Sequence, residues 1–300
     1  MTTTDLDLRN ESEIATVPPK ARKRKFRLTA STMAAIIGGS LILILVLTAI
    51  FADQISPYDP TERVGKPFES PSAEHRLGTN DIGQDILSEL IYGTRVSLIV
   101  GFATALFAIT IGTTVGLLAG YYRRADSILM RVADIILVIP FLPILILLAA
   151  YLGRSMFNTV LIIGLLIWAG SARVIRSQVM SLSKQEYVLA ARAVGATDRH
   201  IIFRHILPQV ALLAIGQFVL VVSTAILLEA ALSFLGLGDP IQKSWGTVLY
   251  WAQVRGAFLT PAWSWWVMPP GLLIVAAALG FALIGFSLEQ RVDPRLKQSR

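Results

Sequence analysis

Apolar residues along this chain gather into six blocks, at 33–52, 97–120, 127–152, 158–178, 207–235 and 266–288, separated by polar and charged stretches. Each block is about 20 residues or longer, the length at which an α-helix crosses roughly 30 Å of hydrocarbon. The pattern predicts an all-α integral membrane protein with six transmembrane helices.

The segments between the blocks give this plan an orientation and boundaries. Residues 1–30 read as a disordered basic cytoplasmic tail, with six cations between Lys20 and Arg27,. Residues 31–53 form the first transmembrane helix. It reads as an uncleaved anchor, because the bulky Ile50 stands where a signal-peptide cleavage site needs a small residue. Residues 54–95 make an outer loop with an amphipathic helix: Ile82, Ile86, Leu87, Leu90 and Ile91 recur at helical spacing, and Thr79, Asn80 and Asp81 are candidate caps,. That helix either docks a partner or packs on neighbouring spans. Residues 96–290 hold a five-helix core, interrupted at 183–207 by a polar pair of short helices, and 291–300 form a cytoplasmic tail. With both termini cytoplasmic, twenty of the 27 Lys and Arg fall on the inner side, the asymmetry membrane proteins show,. Five of the six Trp (Trp245, Trp251, Trp263, Trp265, Trp266) lie in or beside the last outer loop, where rings sit at an interface,.

Composition agrees. The chain is 54% hydrophobic with a mean hydropathy of +0.62, outside the range of an ordinary soluble domain. Its net charge of +7 belongs to the inner loops, and no basic face is interleaved with aromatics, so nucleic acid is not expected as a partner. With no cysteine there is no disulfide and no thiolate metal site,.

The inner segment between the fourth and fifth blocks carries Arg173, Arg176, Lys184, Glu186, Arg192, Asp198, Arg199 and Arg204 and cannot lie in lipid. Lys184–Val194 are good helix formers, with Ser183 and Glu186 spaced as a capping box. Gly195 marks a bend, Asp198–Ile206 a second short helix, and Pro208 the first turn of the next span. Ala190 and Ala191 with Tyr187 predict a low-profile face for another protein's groove.

This stretch, EYVLAARAVGATDRHIIFRHILP from Glu186 to Pro208, resembles the EAA loop of binding-protein-dependent ABC transporter permeases. HRLGTNDIGQDILSELIYGTRVSLIVG from His75 to Gly101 is similar to the outer-loop signature of the dipeptide, oligopeptide and nickel permeases of the C-subunit type. Leu232–Gly238, Trp245-Gly-Thr247 and Asp293-Pro-Arg-Leu296 fit the same subfamily. Leu189 stands where a Glu often precedes the Ala pair, His205 replaces Ile, and Gly285-Phe-Ser-Leu-Glu-Gln replaces the usual Gly-Asp-x-Leu-Arg-Asp. The resemblance implies a type I ABC importer permease in the cell membrane of a prokaryote. A second homologous permease subunit would complete the pathway through the lipid bilayer, two ATP-binding subunits would bind ATP and Mg, and an extracytoplasmic solute-binding protein would deliver the cargo. Peptides are the expected cargo, with nickel chelates or oligosaccharides as alternatives. Glu186, Tyr187, Ala190, Ala191, Gly195, Ala196 and Arg199 would couple this chain to the ATPases.

No catalytic set or cofactor site is expected in the chain itself. Its Gly65-Lys66 pair has Pro60 where a P-loop needs its first Gly,, and His75, His200 and His205 lack metal-ligand spacing. Three pathway candidates remain. Glu229 is an intramembrane carboxylate that either lines a pathway or bonds to a neighbouring helix. Asp134 forms a local ion pair with Arg131 or a gate. Pro140, with Pro143, kinks the third span as packing or as a hinge. An intramembrane hydrolase would need paired acids or a Ser/His set, and a self-sufficient secondary transporter would show inverted repeats; neither pattern is evident.

Overall fold

The computed structural model describes residues 30–292. The expected basic tail and the closing segment with Asp293–Leu296 lie outside the described residues. The elements are helical: α1 (Ala30–Ile50), α2 (Ala52–Ile55), α3 (Ile86–Tyr121), α4 (Arg123–Val138), α5 (Phe141–Leu152), α6 (Met156–Leu182), α7 (Glu186–Ala193), α8 (Asp198–Ile201), α9 (Leu207–Phe234), α10 (Trp245–Val254) and α11 (Met268–Val292). Five stretches, α1, α3, α6, α8 through α9, and Trp263–Leu288, are long and apolar enough to cross a membrane. The sixth crossing exists only if α4 and α5 count as one, and they meet at 90°. Pro140 and Pro143 explain the break, since neither offers an N–H to the carbonyl one turn earlier. The kink expected in the third span is thus a right-angled elbow.

The separate outer-surface helix is not observed. Ile86, Leu87, Leu90 and Ile91 are the first turns of α3, which runs 36 residues without interruption. At 1.5 Å per residue this is about 54 Å, so α3 extends well past the roughly 30 Å of hydrocarbon. Asp85 caps it, accepting from Ser88 N at 2.9 Å and facing His75 Nδ1 at 3.0 Å. The expected cap Asn80 instead closes the turn before it, its Oδ1 accepting from Ile82 N and Gln84 N.

α3 packs along α6 through a stripe of glycines one turn apart. A Cβ on Gly112 would lie 3.0 Å from the Trp168 carbonyl oxygen, one on Gly116 2.7 Å from that of Ala172, and one on Gly120 2.8 Å from that of Arg176. Lipid tails are as apolar as leucine, so close backbone approach of this kind holds membrane helices together. α1 lies against α11, and α9 completes the bundle beside α3. Arg95 ties α1 to α3, donating to Ala49 O at 2.9 Å and to Asp53 at 3.1 Å and holding the Asp53 carboxyl below its ordinary range.

The segment between α9 and α11 is a folded cap. Trp245 and Trp266 are fully buried in the core between α3, α9 and α11, so these two rings are packing residues and not interface anchors. Trp245 Nε1 donates to Leu90 O at 3.3 Å. Ser244 and Thr247 form a capping box on α10. Lys243 Nζ closes the cap onto the outer loop by donating to Pro60 O at 2.7 Å, Gln84 Oε1 at 2.6 Å and Glu89 Oε1.

Gly116→Val should force α3 from α6 and destabilise the protein by about 1–3 kcal/mol, read as a lower thermal midpoint after detergent purification. Gly170→Ala, where an added Cβ meets nothing within 4 Å, should leave the midpoint unchanged or slightly raised.

Candidate functional site

The polar segment between α6 and α9 folds as a hinged pair of short helices on the ends of α3, α6 and α9. α6 stops at Leu182, with Ser183 Oγ donating to Val179 O at 2.7 Å. Ser183 therefore closes α6 and does not open α7, whose N-cap is Gln185 without a side-chain bond. α7 ends in a Schellman turn: Gly195 takes φ +86°, its N–H donates to Arg192 O at 3.0 Å, and Ala196 N donates to Ala191 O at 3.0 Å,. Nothing lies within 4 Å of a Cβ on Gly195, so the backbone conformation, and not crowding, requires glycine there. Thr197 caps α8 through His200 N at 3.4 Å.

From Asp198 onward the chain does not break. α8 passes through a π-turn, Ile202–Ile206, directly into α9, giving one helical run from Asp198 to Phe234. Leu207 N donates five residues back to Ile202 O, immediately before Pro208, which has no N–H to give. The predicted second short helix is therefore the end of the spanning helix itself.

An apolar cluster anchors the pair. Val188, Ile201 and Ile206 are fully buried against Ile175 and Val179 of α6 and Val210 of α9, with Ala191 and Ala196 packed beside them. Ala191 thus turns inward and does not share an outward face with Ala190. Polar contacts complete the seat. Tyr121 OH at the end of α3 donates to Asp198 at 2.6 Å and accepts from Arg192 Nη2 at 3.2 Å, and Gln209 Nε2 donates to Tyr187 OH at 2.7 Å. Glu186, Tyr187, Ala190, Gly195 and Arg199 are exposed. So are Leu189 and Val194, the latter 86% exposed. Thr197, Arg199, His200, Phe203 and Arg204 line an open hollow alongside. The segment therefore presents an apolar ridge beside a basic hollow.

The three pathway candidates occupy three different settings. Asp134 pairs with Arg173 of α6, not with Arg131; Asp126 and Arg176 make a second, two-pronged pair between the same helices, at 2.6 Å for Oδ2. Asp126 and Asp134 lie eight residues apart on one face of α4, and Arg173 and Arg176 three apart on α6. Those spacings carried the signal, whereas the i, i+3 pairing within α4 was the nearer choice. Pro140 is exposed at the elbow. Glu229 is buried, with Oε1 accepting from Ser233 Oγ at 2.7 Å and Oε2 making no hydrogen bond; the hydroxyls of Ser244 and Ser97 stand by the same carboxylate. It therefore sits where α9, α3 and the start of α10 converge.

A family model described as the binding-protein-dependent transport system inner membrane component matches residues 108–298, and one described as the N-terminal TM domain of oligopeptide transport permease C matches 31–71. The chain belongs to the binding-protein-dependent permease family. It is 39% identical to a dipeptide transport system permease protein of Alkalihalophilus pseudofirmus, over 92% of this chain and 90% of that one. An oligopeptide transport system permease protein of Bacillus subtilis is 35% identical (89% and 88%), and a glutathione transport system permease protein of Pectobacterium atrosepticum 36% (88% and 87%). The protein is a multi-pass plasma-membrane permease subunit of an ABC importer.

Tyr121→Phe in this permease removes the hydroxyl shared by Asp198 and Arg192. The expected result is faster amide exchange across 186–200 and a stability loss of no more than about 1.5 kcal/mol, measured by hydrogen exchange and thermal melting of the same sample.

Proposed function

We propose that this permease forms half of a translocation pathway for peptides and is driven through the Glu186–Pro208 segment by ATPase subunits that bind ATP and Mg. The observation that carries this reading is the continuity of α8 with α9. A partner that moves α7 and α8 moves the end of a spanning helix, with no flexible linker to absorb the displacement. Glu186, Tyr187, Ala190 and Arg199 present the docking surface, with Leu189 and Val194 as its apolar ridge. Ala191 and Ala196 seat the segment, and Gly195 sets the angle between its halves. The excess of Lys and Arg around this segment supports placing it, and both termini, in the cytoplasm. A second permease, two ATPases and an external solute-binding protein complete the assembly. The peptide assignment draws support from relatives named for dipeptide, oligopeptide and glutathione transport.

Of the pathway candidates, Glu229 is assigned to holding α10 against α3 and α9, on the strength of its burial among serines. Asp134 is assigned to fixing α4 on α6. Pro140 shapes the elbow.

The chain has no cysteine, so Arg199→Cys supplies a single thiol. It should react with a membrane-impermeant maleimide in inside-out vesicles and stay unlabelled in intact cells; labelling from outside would reverse the orientation and end this reading. In proteoliposomes holding the whole importer, Val194→Asp should cut ATP-driven peptide uptake about tenfold, as loss of a docking contact worth ~1.4 kcal/mol does. The spans should remain folded. Unimpaired uptake would place the docking surface elsewhere.

A further inference from the structure

At the end of the bundle opposite α7 and α8, segment 73–77, the first turns of α3, α1 and the start of α11 enclose a cleft of about 790 Å³. That volume falls within the roughly 300–1,000 Å³ of sites that hold small molecules. Leu45 and Leu90, both buried, form its floor. Thr48 of α1 and Ala276 of α11 line its walls, on two helices that span the membrane. The rim is of another character: Glu74 and Arg76 border the opening and are exposed. Among the described residues, neither side chain has an ion-pair partner. Three ion pairs lie elsewhere at this end, Arg95 with Asp53, Arg255 with Asp81 and Lys243 with Glu89, and Glu62, Arg63 and Lys66 of the same loop do not line the cleft.

A gap between spanning helices is open to acyl chains, and left empty it would forfeit the dispersion contacts of its lining. The apolar walls cannot choose among lipids, because one hydrocarbon tail resembles another. Selection therefore resides in the rim. Two opposite charges two residues apart match a headgroup that itself carries both signs, the guanidinium taking a phosphate and the carboxylate a primary ammonium. An anionic headgroup without an amine would bring its charge towards Glu74 with nothing in return.

We propose that this cleft binds one phospholipid of the phosphoethanolamine class in the leaflet opposite α7 and α8. Its phosphate sits on Arg76, its ammonium on Glu74, and an acyl chain lies between α1 and α11. Bound there, the lipid wedges α1 against the rest of the permease. The inference needs the membrane placement of the chain but not the coupling role of α7 and α8, and its test is separate from transport.

The test is native mass spectrometry of the whole importer, extracted with its lipids and then washed in detergent, followed by exchange into nanodiscs of phosphatidylethanolamine, phosphatidylcholine or phosphatidylglycerol. One phosphatidylethanolamine should survive washing and be retained in preference to the other two. Arg76→Ala and Glu74→Gln should each lower its retention about tenfold, the effect of losing one hydrogen bond to a charged group. Arg76→Lys should retain most of it, which separates charge recognition from misfolding. Ala276→Trp, filling the cleft, should expel the lipid. Equal retention of all three lipids would overturn the proposal, as would retention unaffected by the rim variants. So would a cross-link from a photoreactive residue at Ala276 that captures the second permease in place of lipid.

Discussion

The seam between α3 and α6 is the contact on which the rest of the structure depends. Two helices surrounded by lipid gain little from burying apolar side chains against one another, and what holds them is how closely their backbones approach. Gly112, Gly116 and Gly120 present α3 to the carbonyls of Trp168, Ala172 and Arg176 with no side chain between. With that seam closed, α3 becomes a spine more than one bilayer long. Its outer turns receive Trp245 and the Lys243 cluster, and its inner end delivers Tyr121 to the hinged segment. Both ends of the bundle are thus registered to the same helix.

The inner segment combines two kinds of joint. At Gly195 the chain bends through a left-handed residue, and the backbone bonds of that turn, the apolar cluster and the Tyr121 hydroxyl together hold α7 against α8. At the π-turn before Pro208 it does the opposite and stays helical, widening by one residue to tolerate the missing N–H. The same device recurs at Trp263–Val267, just before Pro269 and Pro270 at the start of α11. A compact turn followed by an unbroken rod suits a part that receives a push and passes it inward. The family match makes the chain an importer permease, and the function proposed above gives the push to this part.

Much of this was legible in the sequence, because lipid imposes a pattern that does not depend on tertiary detail. The apolar blocks, the bend at Gly195 and the break at Pro140 follow from length, backbone freedom and a missing donor. What escaped were choices between partners. Asp134 had Arg131 one turn away and Arg173 on another helix, and helical spacing alone favours the former; the face shared with Asp126 decides otherwise. Ile86 to Ile91 have the spacing of an isolated amphipathic helix, and only the absence of a proline before residue 97, with Gly93 a weak interruption, indicates that they belong to α3. The tryptophans were read by residue type, yet Gly93 and Gly246 leave space against α3 and α9 that draws Trp245 and its helix into the core. Ala191 and Ala190 are neighbours with opposite fates because Ala191 follows the buried Val188 by three residues on one face of α7, and Ala190 does not,.

The elbow between α4 and α5 has a further consequence. Pro140 has no hydrogen to offer the oxygen of Ile136, and Pro143 none for that of Ile139, and Val138, Ile139 and Pro140 are all exposed on this chain. Oil has no donors to lend such oxygens, so irregular backbone of this kind survives at depth only beside protein or water. In the assembly proposed above, this bare corner is a surface that the second permease or a water-filled pathway would cover.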